Sequence, residues 1–567
     1  MSHVVLYSLA VLTPQQLILA ADRPTEAFPD NVTAVIRLAT PRKTIQKIVN
    51  LATQIDPQFA PVVQLGSAGL GAAVSNPAQA GIDPDGDWWI AVFAHPDREP
   101  SLVFAMPAAD AEAMQKAIPG QFTFITYENW LLYTEDEQTA TAVKQRLGGK
   151  GRAIHDAVDE RVKTLFGNAD GAVYINLKQL KSTYQAEIDR AREEMNNALQ
   201  EFENFAPPVE GIDLGAIFQM YGRMGSGLFQ ALDDSHSCSL ALTFNDDSLS
   251  IEELFLVNAG SASEKLISKH KPSPLRNLNT LQPDQLVYAG FHGNYSQLTS
   301  WAIEFYESMI PDKDQAAKLG QTMRELSQLE FGDYSMSFRL ADLKGGAVRS
   351  AIVVDVKPVD KMRTLGRKLS ALMGQISVGG VQQKYDLQPA AETVDGHAVD
   401  VLRVEQQINE QVDPLGIQQQ LMDALYGGDM TMRTVYLEDK TVQTIGGGTQ
   451  ALGETLKSLT SSRATANAPL LATRAQLLKQ ANILVLMDTP GIAVDVMKLV
   501  VESGQLPIPL NRESLDALNL KRSYSGFSVA SVKQGIRVKT TIPAGQIQGL
   551  IKIGTMVQKM MTGQPDF

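Results

Sequence analysis

The sequence of 567 residues contains a single cysteine, Cys238. It can form no disulfide within the chain and supports no multi-thiolate zinc or iron-sulfur site. Basic residues are in deficit, with 50 Lys and Arg against 63 Asp and Glu, a formal charge of -13. Affinity for a phosphate backbone comes largely from Lys and Arg displacing counterions, so this balance opposes nucleic acid as a partner. No polybasic run offers itself to anionic lipid. No stretch reaches the ~18 consecutive apolar residues that a membrane-spanning helix requires. Histidines occur at 3, 95, 155, 236, 270, 292 and 397 without an H-x-H or H-E-x-x-H pairing. His236 and Cys238 share a strand face near Asp233 and Asp234, but two ligands fall short of the three or four a metal site needs. No metal and no cofactor is expected.

The chain is nevertheless ordinary for a folded protein, at 44% hydrophobic and 20% charged residues. It is too long for one core, since single cores stop growing near roughly 250 to 300 residues. Val4 to Leu12 and Leu17 to Ala21 form two apolar patches ending in Ala20-Ala21. They suggest a secretory signal peptide over residues 1–21, and hence an exported, periplasmic or extracellular protein, with a cytoplasmic one as the alternative.

Two local patterns recur. One is a short apolar strand running into an amphipathic helix, at Val32 to Leu38, Ala172 to Leu177, Leu286 to Phe291 and Ile483 to Met487. The other is a hairpin followed by a helix, seen at Trp88 to Met106, Phe122 to Thr134, Cys238 to Val257, Tyr334 to Val356, Met432 to Ile445 and Tyr524 to Thr541. Their order repeats, which predicts an α+β protein of two homologous halves, each an antiparallel sheet with helices packed on one face. The first half spans 22–270 and the second 284–567, with an extra hairpin near 384–405 turning at Asp395-Gly396. The polar residues 271–283 are expected to link them.

Motifs that suggest chemistry have simpler explanations. Asp488-Thr489-Pro490-Gly491 follows a strand as in GTP-binding proteins, but no G-x-x-x-x-G-K-[ST] phosphate loop accompanies it. Thr489 as N-cap with Pro490 in the first turn, like Thr40-Pro41, explains it as helix initiation. Gly446-Gly447-Gly448 is expected to be a strand-to-helix connection rather than a phosphate cradle. Asp83, Asp85 and Asp87 resemble a calcium loop in composition but miss the Gly and Glu positions of an EF-hand. Nucleophile signatures such as G-x-S-x-G are absent.

Two helices carry Met- and aromatic-rich surfaces. In one, Ile217, Phe218, Tyr221, Met224, Leu228, Phe229 and Leu232 lie among Gly222, Gly225 and Gly227. In the other, Ile547, Leu550, Ile551, Val557 and Met561 form a C-terminal stripe. Flexible thioethers suit adaptable surfaces. Phe218, Tyr221, Met224 and Phe229 are therefore the candidate ligand-binding residues, with core packing as the plainer explanation.

The order of units, with Asp22-Arg23-Pro24 after the apolar leader and then Asn31-Val32-Thr33-Ala34-Val35-Ile36-Arg37-Leu38, resembles a family of exported bacterial proteins of unknown function. That resemblance implies export and carries over no functional residue. The expected function is a non-catalytic exported binding or scaffold protein with an unknown protein partner. A carrier of an apolar small molecule or lipid is the alternative, and an enzyme of unrecognised class a further one.

Overall fold

The computed structural model describes residues 24–205, 214–294, 312–341, 345–378, 381–409, 413–460, 468–503 and 511–562, with residues 300, 303, 307, 310 and 343. The apolar leader over 1–21 lies outside the described residues. The chain divides into two compact units. Residues 24–49, 60–184 and 237–243 form the first, and the described residues of 50–59, 185–236 and 244–562 form the second.

In the first unit, β-branched and aromatic runs form β1 (Ala34–Leu38), β2 (Trp88–Phe93), β3 (Ser101–Pro107), β4 (Thr123–Tyr127), β5 (Trp130–Thr134), β6 (Gly171–Ile175) and β7 (Ser235–Phe244). All neighbours are antiparallel, in the order β4-β5-β3-β2-β1-β6-β7. Thr40 caps the helix Pro41–Ile55 through its carbonyl, which accepts from the amides of Lys43 and Thr44, and Pro41 fits the first helical position. The core gathers Trp88, Phe104, Met106, Met114, Leu131 and Tyr133, and the Tyr133 hydroxyl donates to the Val74 carbonyl at 2.6 Å.

The acidic loop before β2 is accounted for by cations. Arg37 clamps Asp87 through two nitrogens at 2.7 and 2.8 Å and lies over the Trp89 ring, while Arg42 holds Asp85 at 2.9 Å. These carboxylates hold the loop to β1 and its helix.

The second unit contains β8 (Ser248–Val257), β9 (Val287–Phe291), β10 (Glu330–Leu340), β11 (Val348–Lys357), β12 (Gln375–Val378), β13 (Val381–Val394), β14 (His397–Ile408), β15 (Asp429–Tyr436), β16 (Lys440–Ile445), β17 (Ile483–Met487), β18 (Ser525–Val532) and β19 (Gly535–Pro543). Its antiparallel order is β12-β13-β14-β15-β16-β11-β10-β9-β17-β18-β19-β8. The run β16-β11-β10-β9-β17-β18 has the connectivity of β5-β3-β2-β1-β6-β7 in the first unit. In each, the strands of the two strand-helix elements lie side by side at the centre and the hairpins flank them. The extra hairpin is β13-β14, turning at Asp395-Gly396 as its sequence predicts.

Two local expectations give way to different packing. Residues 271–283 do not link units through solvent: Leu275, Leu278 and Leu281, on and beside the 3-10 helix Arg276–Thr280, are at most 3% exposed within the second unit's core. Burying three leucines stabilises that placement by several kcal/mol, at about 1.5–3 each. At Asp488-Thr489-Pro490-Gly491 the cap is Asp488, not Thr489. The Asp488 carboxylate accepts from the Gly491 amide at 3.1 Å, from Arg522 at 2.8 Å and from Gln546 at 3.2 Å. An ionised cap suits a buried helix start because it also meets a cation.

A similar cap gives a pH test. Asp136 starts the helix Glu137–Leu147, accepting from the amides of Gln138 and Thr139. Its hydrogen bonds from Arg98, and further ones from Thr139 and Ser101, hold its carboxyl well below the usual carboxylate range against the opposing effect of burial. A lowered folded-state pKa stabilises above the unfolded value near 4, and that contribution is lost as pH falls toward the folded value. Asp136→Ala is therefore expected to cost about 1–2 kcal/mol at pH 7. In urea titrations the gap from wild type should narrow steadily below about pH 4. A gap constant down to about pH 2 would contradict the assignment.

Candidate functional site

A sheet with one covered face usually places its large apolar residues under the cover. In the second unit, β10, β9, β17, β18 and β11 distribute side chains differently. Register sets three rows on one face. One is Phe338, Val287, Met487 and Ser525; the next is Met336, Ala289, Val485 and Phe527; the third is Tyr334, Phe291, Ile483 and Val529. On β11, Ser350, Ile352 and Val354 continue the rows. Every one of these residues is at least partly exposed, and Ile483, Met487 and Phe527 are 36–39% exposed.

The opposite face is buried throughout, and much of it is small. Gly290, Gly526, Ser335, Ser337 and Ser528 lie there beside Tyr288, Leu484 and Leu486. Small residues let the covering segments approach: a Cβ on Gly290 would meet Leu278 at 2.8 Å, and one on Gly526 would meet Leu477 at 2.7 Å. Tyr288 and Tyr524 meet edge to face at 5.8 Å, and their hydroxyls donate to the carbonyls of Gln282 and Gln285. The covered face thus combines a buried core of Tyr288, Val353, Leu484, Leu486 and Tyr524 with close backbone approach at its glycines, while a second set of large apolar side chains stands on the more open face. Burial pushes the Tyr334 hydroxyl pKa up, in keeping with its apolar row. Five strands at ~4.8 Å spacing and three alternate residues give a patch of roughly 19 by 14 Å.

The first unit has the same face in smaller form. Ile36 (36% exposed), Val173 and Leu240 make one row across β1, β6 and β7; Ala34, Ile175 and Cys238 make the next, and all are at least partly exposed. On the β3 side this face passes into the closed core around Phe104 and Met106. Elsewhere in the unit, Trp89, Ile154, Val162, Phe166 and Tyr174 help to line a cavity of about 40 Å³. That is well below the ~150 Å³ of an apolar cavity that holds benzene.

The four residues singled out from sequence lie elsewhere, on a pair of antiparallel helices, Gln185–Phe205 and Leu214–Asp234, in the second unit. The structure divides them. Phe218 stacks on Phe202 at 6.0 Å and Phe229 lies under Arg192 at 5.1 Å, both in the seam between the helices. Gly222 faces Leu199 and Gly225 faces Met195 in the same seam, where a Cβ on Gly225 would overlap the Met195 sulfur. Tyr221 and Met224 point outward, 54% and 51% exposed, with Leu228 at 73%. The four therefore do not converge on one ligand. Among the described residues no group of three or more His, Cys, Asp or Glu is placed to hold a metal ion, and no helix is long and apolar enough to cross a membrane.

The chain matches no known protein family, no curated protein and no solved structure.

Proposed function

We propose that the chain is a non-catalytic exported binding protein that carries an apolar small molecule or lipid against the open sheet face of its second unit. One observation carries the reading: rows of Ile, Val, Met, Phe and Tyr side chains stay at least partly exposed on one face, although the opposite face already buries a core of Tyr288, Val353, Leu484, Leu486 and Tyr524 among its glycines and serines. The largest contiguous apolar patch on a protein surface, commonly a few hundred Å², is often a functional one. The apolar leader favours export, as does the resemblance to exported proteins of unknown function. The shared strand order of the two units is what duplication of one ancestral unit would leave. A protein-binding role is the second reading, favoured by the outward residues Tyr221, Met224 and Leu228.

The test is titration of delipidated protein with a fluorescent fatty acid, supported by native mass spectrometry. Val485→Asp puts a charge in the middle row without touching the covered face. It is expected to weaken binding at least ~10-fold, because an unpaired carboxylate would have to be desolvated against the ligand. No binding by wild type, or equal binding by the variant with an unchanged melting temperature, would refute the reading.

A further inference from the structure

The open face of the second unit has an internal order that narrows what it would hold. Its three rows lie ~6.8 Å apart, twice the rise per residue of a strand, so two parallel grooves run between them across β11, β10, β9, β17 and β18. Each groove is about 19 Å long, four strand spacings of ~4.8 Å. An acyl chain spans half of a ~30 Å bilayer core, about 15 Å, and packs on apolar neighbours at ~4–4.5 Å. Each groove therefore matches one chain in length and width. Beyond the five strands the middle row turns polar at both ends. The register places Gln443 of β16 beside Ile352, and Thr540 of β19 beside Phe527. The Gln443 amide already donates to the Thr434 hydroxyl at 3.3 Å, which leaves the Thr540 end as the freer one. There the third row runs from Val529 to Val538 and ends on β8 at Glu253, which is exposed.

Charge narrows the ligand further. The three rows contain no Lys, Arg or His, and Arg339, Arg349, Arg537 and Lys539 alternate to the opposite face. Among the described residues, Glu253 is the one ionised side chain that the rows reach. In a chain of formal charge -13, a carboxylate at that end repels a phosphate or carboxylate head. The same carboxylate, with the Thr540 hydroxyl diagonally across from it, accepts hydrogen bonds from hydroxyl groups. Resting on the reading of this face as a lipid site, we propose that its ligand is a two-chain lipid with an uncharged, hydroxyl-bearing head, of the diacylglycerol class. One chain lies in each groove, the two bury one another's flanks above the middle row, and the head sits at Thr540 and Glu253. Tethering makes insertion of the second chain intramolecular, an advantage that two separate fatty acids lack.

Titration of the delipidated full chain with a fluorescent fatty acid and with dioleoylglycerol, read by fluorescence and native mass spectrometry, tests grooves and head separately. The fatty acid should saturate at two per chain and dioleoylglycerol at one. Dioleoylglycerol should displace both fatty acids with an apparent affinity at least ~100-fold higher than theirs. Met487→Asp and Ile483→Asp each charge the border of one groove, so each should leave a single fatty acid bound, whereas Val485→Asp borders both. Dioleoylphosphatidylglycerol has the same chains on an anionic head and should compete at least ~10-fold more weakly than dioleoylglycerol, with Glu253→Gln narrowing the gap. Saturation at one fatty acid, still weakened by Val485→Asp, overturns the two-groove inference and leaves the apolar site standing. Equal competition by the anionic and uncharged lipids overturns the assignment of the head. Absence of any fatty acid binding overturns the proposal together with the reading on which it rests.

Discussion

Replacing Arg367 with Ala should be among the most damaging single changes in the second unit, at about 3–5 kcal/mol. Arg367 grips Asp400 through two nitrogens at 2.7 and 2.8 Å, and the Asp400 side chain is only 4% exposed. Burial by itself would raise the Asp400 pKa. The Arg367 hydrogen bond, the Ala390 amide at 2.9 Å and the nearby Arg363 outweigh it and bring the pKa below the ordinary value. Removing Arg367 leaves a buried carboxylate without its cation, which costs far more than the net worth of the pair. Arg367 is itself 37% exposed, so water reaches the vacated site and the lower end of the range applies. In wild type, with the folded pKa lowered, this contribution is present above about pH 4 and fades as pH falls through the folded value. In Arg367→Ala the sign reverses: Asp400 titrates above its ordinary value, and acidification toward pH 5 should recover part of the loss. Combining Arg367→Ala with Asp400→Asn should restore stability in the same way at neutral pH. Chemical denaturation of the single and double variants at pH 5 and 7 checks both statements.

The second large effect is expected at Gly446. Gly446, Gly447 and Gly448, which lead into the helix Gly448–Thr460, have φ of +70°, +72° and +63°, a left-handed run that L side chains resist by about 1–2 kcal/mol each. At Gly446 a steric penalty is added, because a Cβ would overlap the Val348 carbonyl oxygen on the adjoining strand. The backbone of β11 cannot yield without disturbing its register with β16. Gly448 has the same conformation but open space around it. Gly446→Ala is therefore expected to cost about 3 kcal/mol or more and Gly448→Ala about 1. Equal melting temperatures for the two variants would show that strain, not space, decides. The glycine run is explained by strand-to-helix geometry, as its sequence context suggested.

The elements themselves were readable because their signals are local. Alternation in Leu240, Leu242 and Phe244, the turn at Asn245 to Ser248, and helical spacing after each hairpin all act over a few residues. Which face of a sheet is covered is not a local property. Alternation in Tyr334-Ser335-Met336-Ser337-Phe338 separates two faces, and the usual rule would put Met336 and Phe338 inside. The structure buries Ser335 and Ser337 instead, because the segment carrying Leu275, Leu278 and Leu281 lies against that face. Those leucines recur every three residues, the period of the 3-10 turn they form, inside a stretch whose Lys, Pro and Asn content suggested a linker. The helix over 217–232 presents two apolar flanks in the structure, for a related reason. Counting apolar residues merged two flanks into one surface, since the seam is made partly by Gly222 and Gly225, which add nothing to such a count.

The edge of the second unit's sheet bears on how such an open apolar face is kept from misuse. β12 pairs with only Val381 to Lys384 of the long strand β13. Beyond them β13 carries Asp386, Pro389 and Glu392, with an irregular register between Gln388 and Glu392 and a left-handed Ala390. Proline withholds a donor and the bulge breaks the ladder. A stray strand meeting this border would find no continuous row of hydrogen-bonding partners. Molecules that do not bond to backbone edges, among them apolar ligands, are not screened out in this way. The border thus blocks the route by which sticky sheets polymerise and leaves access across the face open.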